Sequence, residues 1–333
     1  MMTFDINKIE NHYFLFHANC IIVQGEKNCS IYDLHKHKIF QFGSIVYEVF
    51  KESNQKTVIE IMDSFRGDYN EGILKYIKYF VDNDIGVLVS NPKLFPRINF
   101  EFERPFEIIN AIVEVTNINN YNIINVLQKL SILSCRDIQF RLFSLEGLIF
   151  IKNNVEYLNA NKFRSIEILY EYSTGNDELI YNLLDELPNI FRFVVYDKQN
   201  LLKDPKHNKI RHSSISIDKG TEISYDVNDF LIDIATFTES FNYNIGLNRK
   251  VSITKDGCIK NYLSHNLDFG NVDDVNLIDV VKSDQFRLKW EIKNDDIEQC
   301  KDCIYRYCCF SCSDIYLKDQ KYFKVEYCNG LNK

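Results

Sequence analysis

The residues best equipped for chemistry in this 333-residue chain are cysteines. Six of the ten fall between positions 300 and 328, while Cys20, Cys29, Cys135 and Cys258 are scattered. Cys300 and Cys303 have two residues between them, Cys309 and Cys312 repeat that gap, and Cys328 follows. Such a gap lets both sulfurs face one ion while turn amides stabilise the thiolates, so two knuckles make a tetrahedral site. The same ligands hold an iron–sulfur cluster, and ligand type alone does not separate it from zinc. Ordinary buried thiols and a redox disulfide are the competing readings. In a reducing compartment, crowding of this kind favours metal over both.

Other chemistry-bearing residues are less organised. His35 and His37 sit two apart near a strand turn, and His207 and His212 fall in a polar stretch, neither pair with a carboxylate or thiol at ligand spacing. There is no Gly-rich phosphate loop and no serine nucleophile elbow. The acidic run 294–298 reads as a solvated helix end or turn. A net charge of -8 argues against nucleic acid as a partner, because a basic footprint is needed to displace counterions. No apolar run reaches membrane-spanning length, and the first residues lack a basic-then-apolar signal, so the expected location is the cytoplasm with no membrane partner. With 45% apolar residues, 25 Phe and 20 Tyr, a large core is expected.

Three regions must position the cysteines. Residues 1–97 read as a small α+β unit of winged-helix type: apolar alternation over 11–42 gives three strands, and three helices and a short strand at 86–90 follow. Residues 98–240 alternate strand and helix, with strands at 108–115, 137–143, 164–172 and 191–196 and helices at 118–132, 147–158 and 176–187. That rhythm means a parallel sheet with right-handed crossovers, either open or an incomplete (β/α) barrel. Residues 197–220 read as an exposed excursion, and a helix is expected over 227–240. In 241–333 a hairpin turns on Asp256-Gly257 before the cysteine-rich tail.

The stretch from Asn248 to Gly257, then Phe269-Gly270-Asn271-Val272, then Cys300 to Cys312 resembles a SPASM domain. This is the C-terminal extension of radical-SAM enzymes that mature ribosomal peptides. The stretch closely resembles the version in grasp-with-spasm systems, where a SPASM protein is encoded beside an ATP-grasp ligase and a precursor peptide. The resemblance is specific over 240–330 and fainter upstream, and it implies a fold of α/β class with a recognition unit, a partial barrel and a SPASM-like metal-binding domain. Such domains hold two auxiliary iron–sulfur clusters. Here Asn248, Asn261 and Tyr262 stand where first-cluster cysteines are expected, and only Cys312 remains of that set. The second set carries over to Cys300, Cys303, Cys309 and Cys328. The resemblance therefore implies one 4Fe-4S cluster; the local alternative is zinc on Cys300, Cys303, Cys309 and Cys312.

Radical-SAM chemistry also needs a three-cysteine loop after the first barrel strand. The matching segment, 116–121, has no cysteine, so the central region is expected to be a pseudo-radical-SAM domain. The N-terminal unit resembles peptide-recognition elements that capture a leader peptide as an added strand. Its groove would lie between Ile39, Phe40 and Phe42 and a helix carrying Tyr76 and Phe80. The expected function is a scaffold, not itself an enzyme, that binds a ribosomal precursor peptide and acts with an ATP-grasp ligase. The alternatives are a redox-active iron–sulfur maturase using Cys308 or Cys312, and a zinc-stabilised interaction module.

Overall fold

The computed structural model describes residues 6–118, 120–161, 163–172, 175–196, 208–213, 217, 230–326 and 328. The fold is mixed α/β around a seven-stranded, mostly parallel sheet.

A single helical turn, α1 (Ile6–Ile9), leads into β1 (Tyr13–Phe16), β2 (Cys20–Gln24), β3 (Asn28–Asp33) and β4 (Lys38–Gly43). The helices α2 (Ser44–Phe50), α3 (Val58–Ser64) and α4 (Asn70–Asp82) follow, then β5 (Gly86–Val89). Thr57 caps α3 through a reciprocal capping box with Glu60, which satisfies two of the helix's free amides. Where three strands are expected over 11–42, four form. β2, β3 and β4 make an antiparallel meander, while β1 leaves it to pair with β5. The alternation of period two then gives the meander two faces. Cys29, Ile31, Phe40 and Phe42 meet the helices, and Val23, Tyr32 and Ile39 turn the opposite way.

The central region runs β6 (Asn110–Val115), α5 (Ile123–Ile132), β7 (Asp137–Leu142), α6 (Leu145–Asn153), α7 (Val155–Ala160), β8 (Ser165–Glu171), α8 (Asp177–Glu186) and β9 (Ile190–Tyr196). β10 (Ile210–Ser213) lies parallel to β9 and takes up part of the stretch read as an excursion. His212 is in that strand; His207 and most of 197–220 lie outside the described residues. The helix expected at 227–240 is α9 (Ile234–Asn242), capped by Asp233, and 227–229 lie outside the described residues.

The hairpin β11 (Lys250–Ile253) and β12 (Ile259–Lys260) completes the sheet, whose order is β10-β9-β8-β7-β6-β11-β12. β11 runs parallel to β6, with Ser252 beside Ile112. Gly257 takes a φ of +81° in the turn, as the Asp-Gly reading requires. β10 and β12 stand at the two edges, so the described sheet is open. After α10 (Leu277–Lys282) and α11 (Asp284–Glu291), the tail ends in the hairpin β13 (Ile315–Lys318) and β14 (Lys321–Lys324). One apolar cluster joins β6–β9 and their helices to Leu247, Val251, Ile253, Phe286 and Trp290, so the central core continues across position 240.

Candidate metal centre

The tail is held from both sides. Tyr32 Oη and Ser30 Oγ on β3 both donate to the Ile304 carbonyl, at 2.6 and 3.2 Å. Gln41 on β4 donates to Tyr305 Oη. Arg306 donates to the Gln24 and Cys303 carbonyls and pairs with Asp295 at 2.8 Å. On the other side Ser240 of α9 donates to the Tyr307 carbonyl, and Phe237 packs on Tyr307 with centroids 4.8 Å apart. These contacts fix the loop that carries the first knuckle.

Within that loop the Cys303 amide donates to the Cys300 carbonyl at 2.9 Å, closing a turn. The Tyr305 amide points at Cys303 Sγ at 3.4 Å, the amide-to-sulfur arrangement that stabilises a thiolate. Burial pushes the Cys300 thiol above its ordinary pKa; Lys324 opposes this, and Cys309 and Cys328 add to it. Cys328 is likewise raised, first by burial and then by Cys309. Cys300, Cys309 and Cys328 therefore feel one another's charge, beside a Lys324 ammonium that is buried and donates to Asn294 Oδ1 at 2.9 Å. Among the described residues, no three His, Cys, Asp or Glu side chains converge closely enough to hold an ion. The donor chemistry nonetheless fits a thiophilic metal: several thiols in mutual electrostatic reach and an amide aimed at sulfur.

Cys308 and Cys312 have other surroundings. Cys308 is 1% exposed, hydrogen-bonded to the Tyr32 hydroxyl at 3.6 Å, and pushed up to about 12 by burial. Such a thiol stays protonated and shielded, the opposite of a reactive cysteine. Cys312 Sγ donates to the Gly246 carbonyl at 3.1 Å and lines a cavity on the central sheet with Tyr262 and Arg141. Gly246 runs so close to this segment that any Cβ there would collide with the Ser311 carbonyl. The polar residues standing at expected first-cluster positions are tied up by hydrogen bonds: Asn248 donates to Glu239 and Asn261 to the Phe286 carbonyl. Tyr262 interacts with Arg141, and burial raises its pKa, with Cys312 adding to the rise.

The residues named for peptide binding fall at β4 and α4. Phe42 packs edge-on against Tyr76, Tyr79 and Phe80, at centroid distances of 6.1, 6.0 and 5.4 Å. Phe80 is fully buried, so it forms the floor under this surface and not its lining. Ile39 turns to the opposite face with Tyr305. Tyr79, not anticipated, is 40% exposed beside Phe42 and extends the aromatic surface. Its place one position before Phe80 on the amphipathic α4 was the available signal. β4 is an edge of the meander and has no strand partner on its outer side among the described residues.

No protein-family model matches the chain, and no curated protein does.

Proposed function

We propose that the protein takes part in maturing a ribosomally made peptide: it binds the precursor as a strand added to β4 and acts with an ATP-grasp ligase, without radical-SAM chemistry. The observation carrying this reading is the unpaired outer edge of β4 beside the half-exposed rings of Tyr76 and Tyr79. Edge addition supplies main-chain hydrogen bonds, and flanking pockets supply specificity. In this reading the open central sheet is the remnant of a partial barrel. The loop after β6 supports this: in place of cysteines it has Tyr121 donating to the Glu114 carbonyl and Asn120 donating to Thr116 and to the Lys255 carbonyl.

Cys300, Cys303, Cys309 and Cys328 would hold the metal, a 4Fe-4S cluster or zinc, and the group would supply cross-linking of the tail. The surroundings of Cys312 speak for Cys328 as the fourth ligand. The burial of Cys308 speaks for a structural site over the redox alternative. The test uses the full chain purified without oxygen. Iron, sulfide and zinc analysis is expected to give one cluster or one zinc per chain, and metal-free folded protein overturns the metal assignment. Fluorescence anisotropy with synthetic leader segments of precursors encoded beside the gene should show saturable binding, weakened about tenfold by Tyr76→Ala. Absence of binding to every such segment sinks the scaffold reading.

A further inference from the structure

The central sheet has helices on one face, and on the other it carries a cavity of about 420 Å³. The cavity reaches the strand starts at Asn110, Asp137, Ser165 and Lys250. Two of its lining side chains are nearly inaccessible, Arg141 at 3% and Ser252 at 1% exposure. Arg141 Nε donates to Gln139 Oε1 at 2.8 Å, but its Nη1 has no hydrogen-bond partner. Ser252 Oγ has none either. A buried donor left unsatisfied is costly, more so when charged, and native folds keep few of them. These two sit on strands either side of β6, on the wall of one cavity.

The other charges in the lining are already balanced. Arg164 grips Asp137 through two nitrogens, and Glu167 is paired with Arg192 and accepts from Gln139. Arg141 and Lys250 are the lining cations without an ion pair among the described residues. A guanidinium remains charged when buried, and its fork matches the two oxygens of a carboxylate or phosphate. Ile112, which lies beside Gln139 and Ser252 in the register, and Phe191 supply apolar wall for an attached carbon skeleton.

We propose that this cavity binds a small organic oxyanion, a carboxylate or a phosphate ester, through Arg141 Nη1 and Ser252 Oγ. The size is that of an amino acid or dipeptide, at the small end of ligand pockets. The site stands independently of the peptide-maturation reading, because its two binding groups, Arg141 and Ser252, lie on neither β4 nor the cysteine tail, although Cys312 borders the cavity.

Isothermal calorimetry on the full chain tests it with three probes: succinate, glycylglycine and glycerol 3-phosphate. At least one is expected to bind saturably and one-to-one, and the carboxylate and phosphate arms separate the two sources of oxyanion. Arg141→Gln should weaken that binding about tenfold or more, and Ser252→Ala about threefold or more, in proportion to one charged and one neutral hydrogen bond. No saturable binding by any probe overturns the proposal, as does binding that neither variant alters. Should Arg141→Gln fail to unfold cooperatively, Ser252→Ala decides alone: unchanged affinity there is a refutation.

Discussion

The two principal sheets invert the usual rule for their kinds. Parallel sheets are ordinarily covered on both faces and antiparallel sheets on one. Here the small antiparallel meander is covered twice: the helices take Cys29, Ile31, Phe40 and Phe42, and the cysteine tail takes Val23, Tyr32 and Ile39. Among the described residues, helices cover the large parallel sheet on one face. Ile138, Phe140, Leu142, Ile166 and Ile168 meet its helices, while Gln139, Arg141, Glu167 and Ser252 face a cavity. A sheet with both faces spent has an edge left to offer a partner. A sheet face that leaves a cavity can hold a small molecule in it. In the proposed readings, peptide and small molecule would therefore bind in different halves of the molecule.

The comparison can be broken at several points. The heaviest test is Phe80→Ala, since Phe80 touches Phe14, Phe16, Phe42 and Phe50. Urea titration should show a loss of about 3–5 kcal/mol; a loss below about 1 kcal/mol would mean that the helix-side face contributes little. Tyr32→Phe probes the tail-side face by removing one donor from the Ile304 carbonyl while Ser30 remains. About 1–2 kcal/mol is expected, with faster amide exchange over 303–308. If exchange there is unchanged, the meander does not hold the tail.

A pH series gives a smaller effect. Burial raises the Cys29 thiol from 9.0 to about 11, so the folded form keeps a proton that the unfolded chain releases. Its contribution is therefore constant below pH 9 and lost as pH rises towards 11. Cys29→Ala should make the alkaline decline of the urea midpoint shallower, and an unaltered slope would refute the assignment. Least of all, Asp82→Asn breaks the exposed Lys78–Asp82 pair on α4 and should cost under about 0.5 kcal/mol.

Much of this was legible in the sequence, and the failures have physical reasons. Apolar spacing located β6 to β9 to within two residues, because buried strands carry their period locally; the helix expected over 118–132 begins at Ile123, and the one expected over 147–158 is two, α6 and α7. Four strands form over 11–42 where three are expected, because the pairing of β1 with the remote Gly86 to Val89 leaves no trace in local periodicity. β10 escapes the sequence reading because Ile210-Arg-His-Ser213 is polar at three of its four positions. Spacing identified the cysteines that belong to the tail, but it made Cys309 and Cys312 look alike. What separates them is the chain crossing at Gly246 and Ser311, which no local pattern records. Phe80 and Tyr76 looked interchangeable for the reason that two positions of one helical stripe do; burial distinguishes the floor from the rim.

The pairing of Ile112 with Ser252 has a consequence for how the protein is made. β6 is synthesised early and gains β7 soon afterwards, but its other edge has no mate until the whole stretch through β10 and α9 has left the ribosome. Closing so long a loop slows folding more than it weakens the finished fold. During that interval β6 is an unpaired edge, the kind of surface on which nascent chains associate wrongly. A chain stopped short of Lys250 would keep that edge permanently, so the hairpin beyond it is also the molecule's protection against self-association.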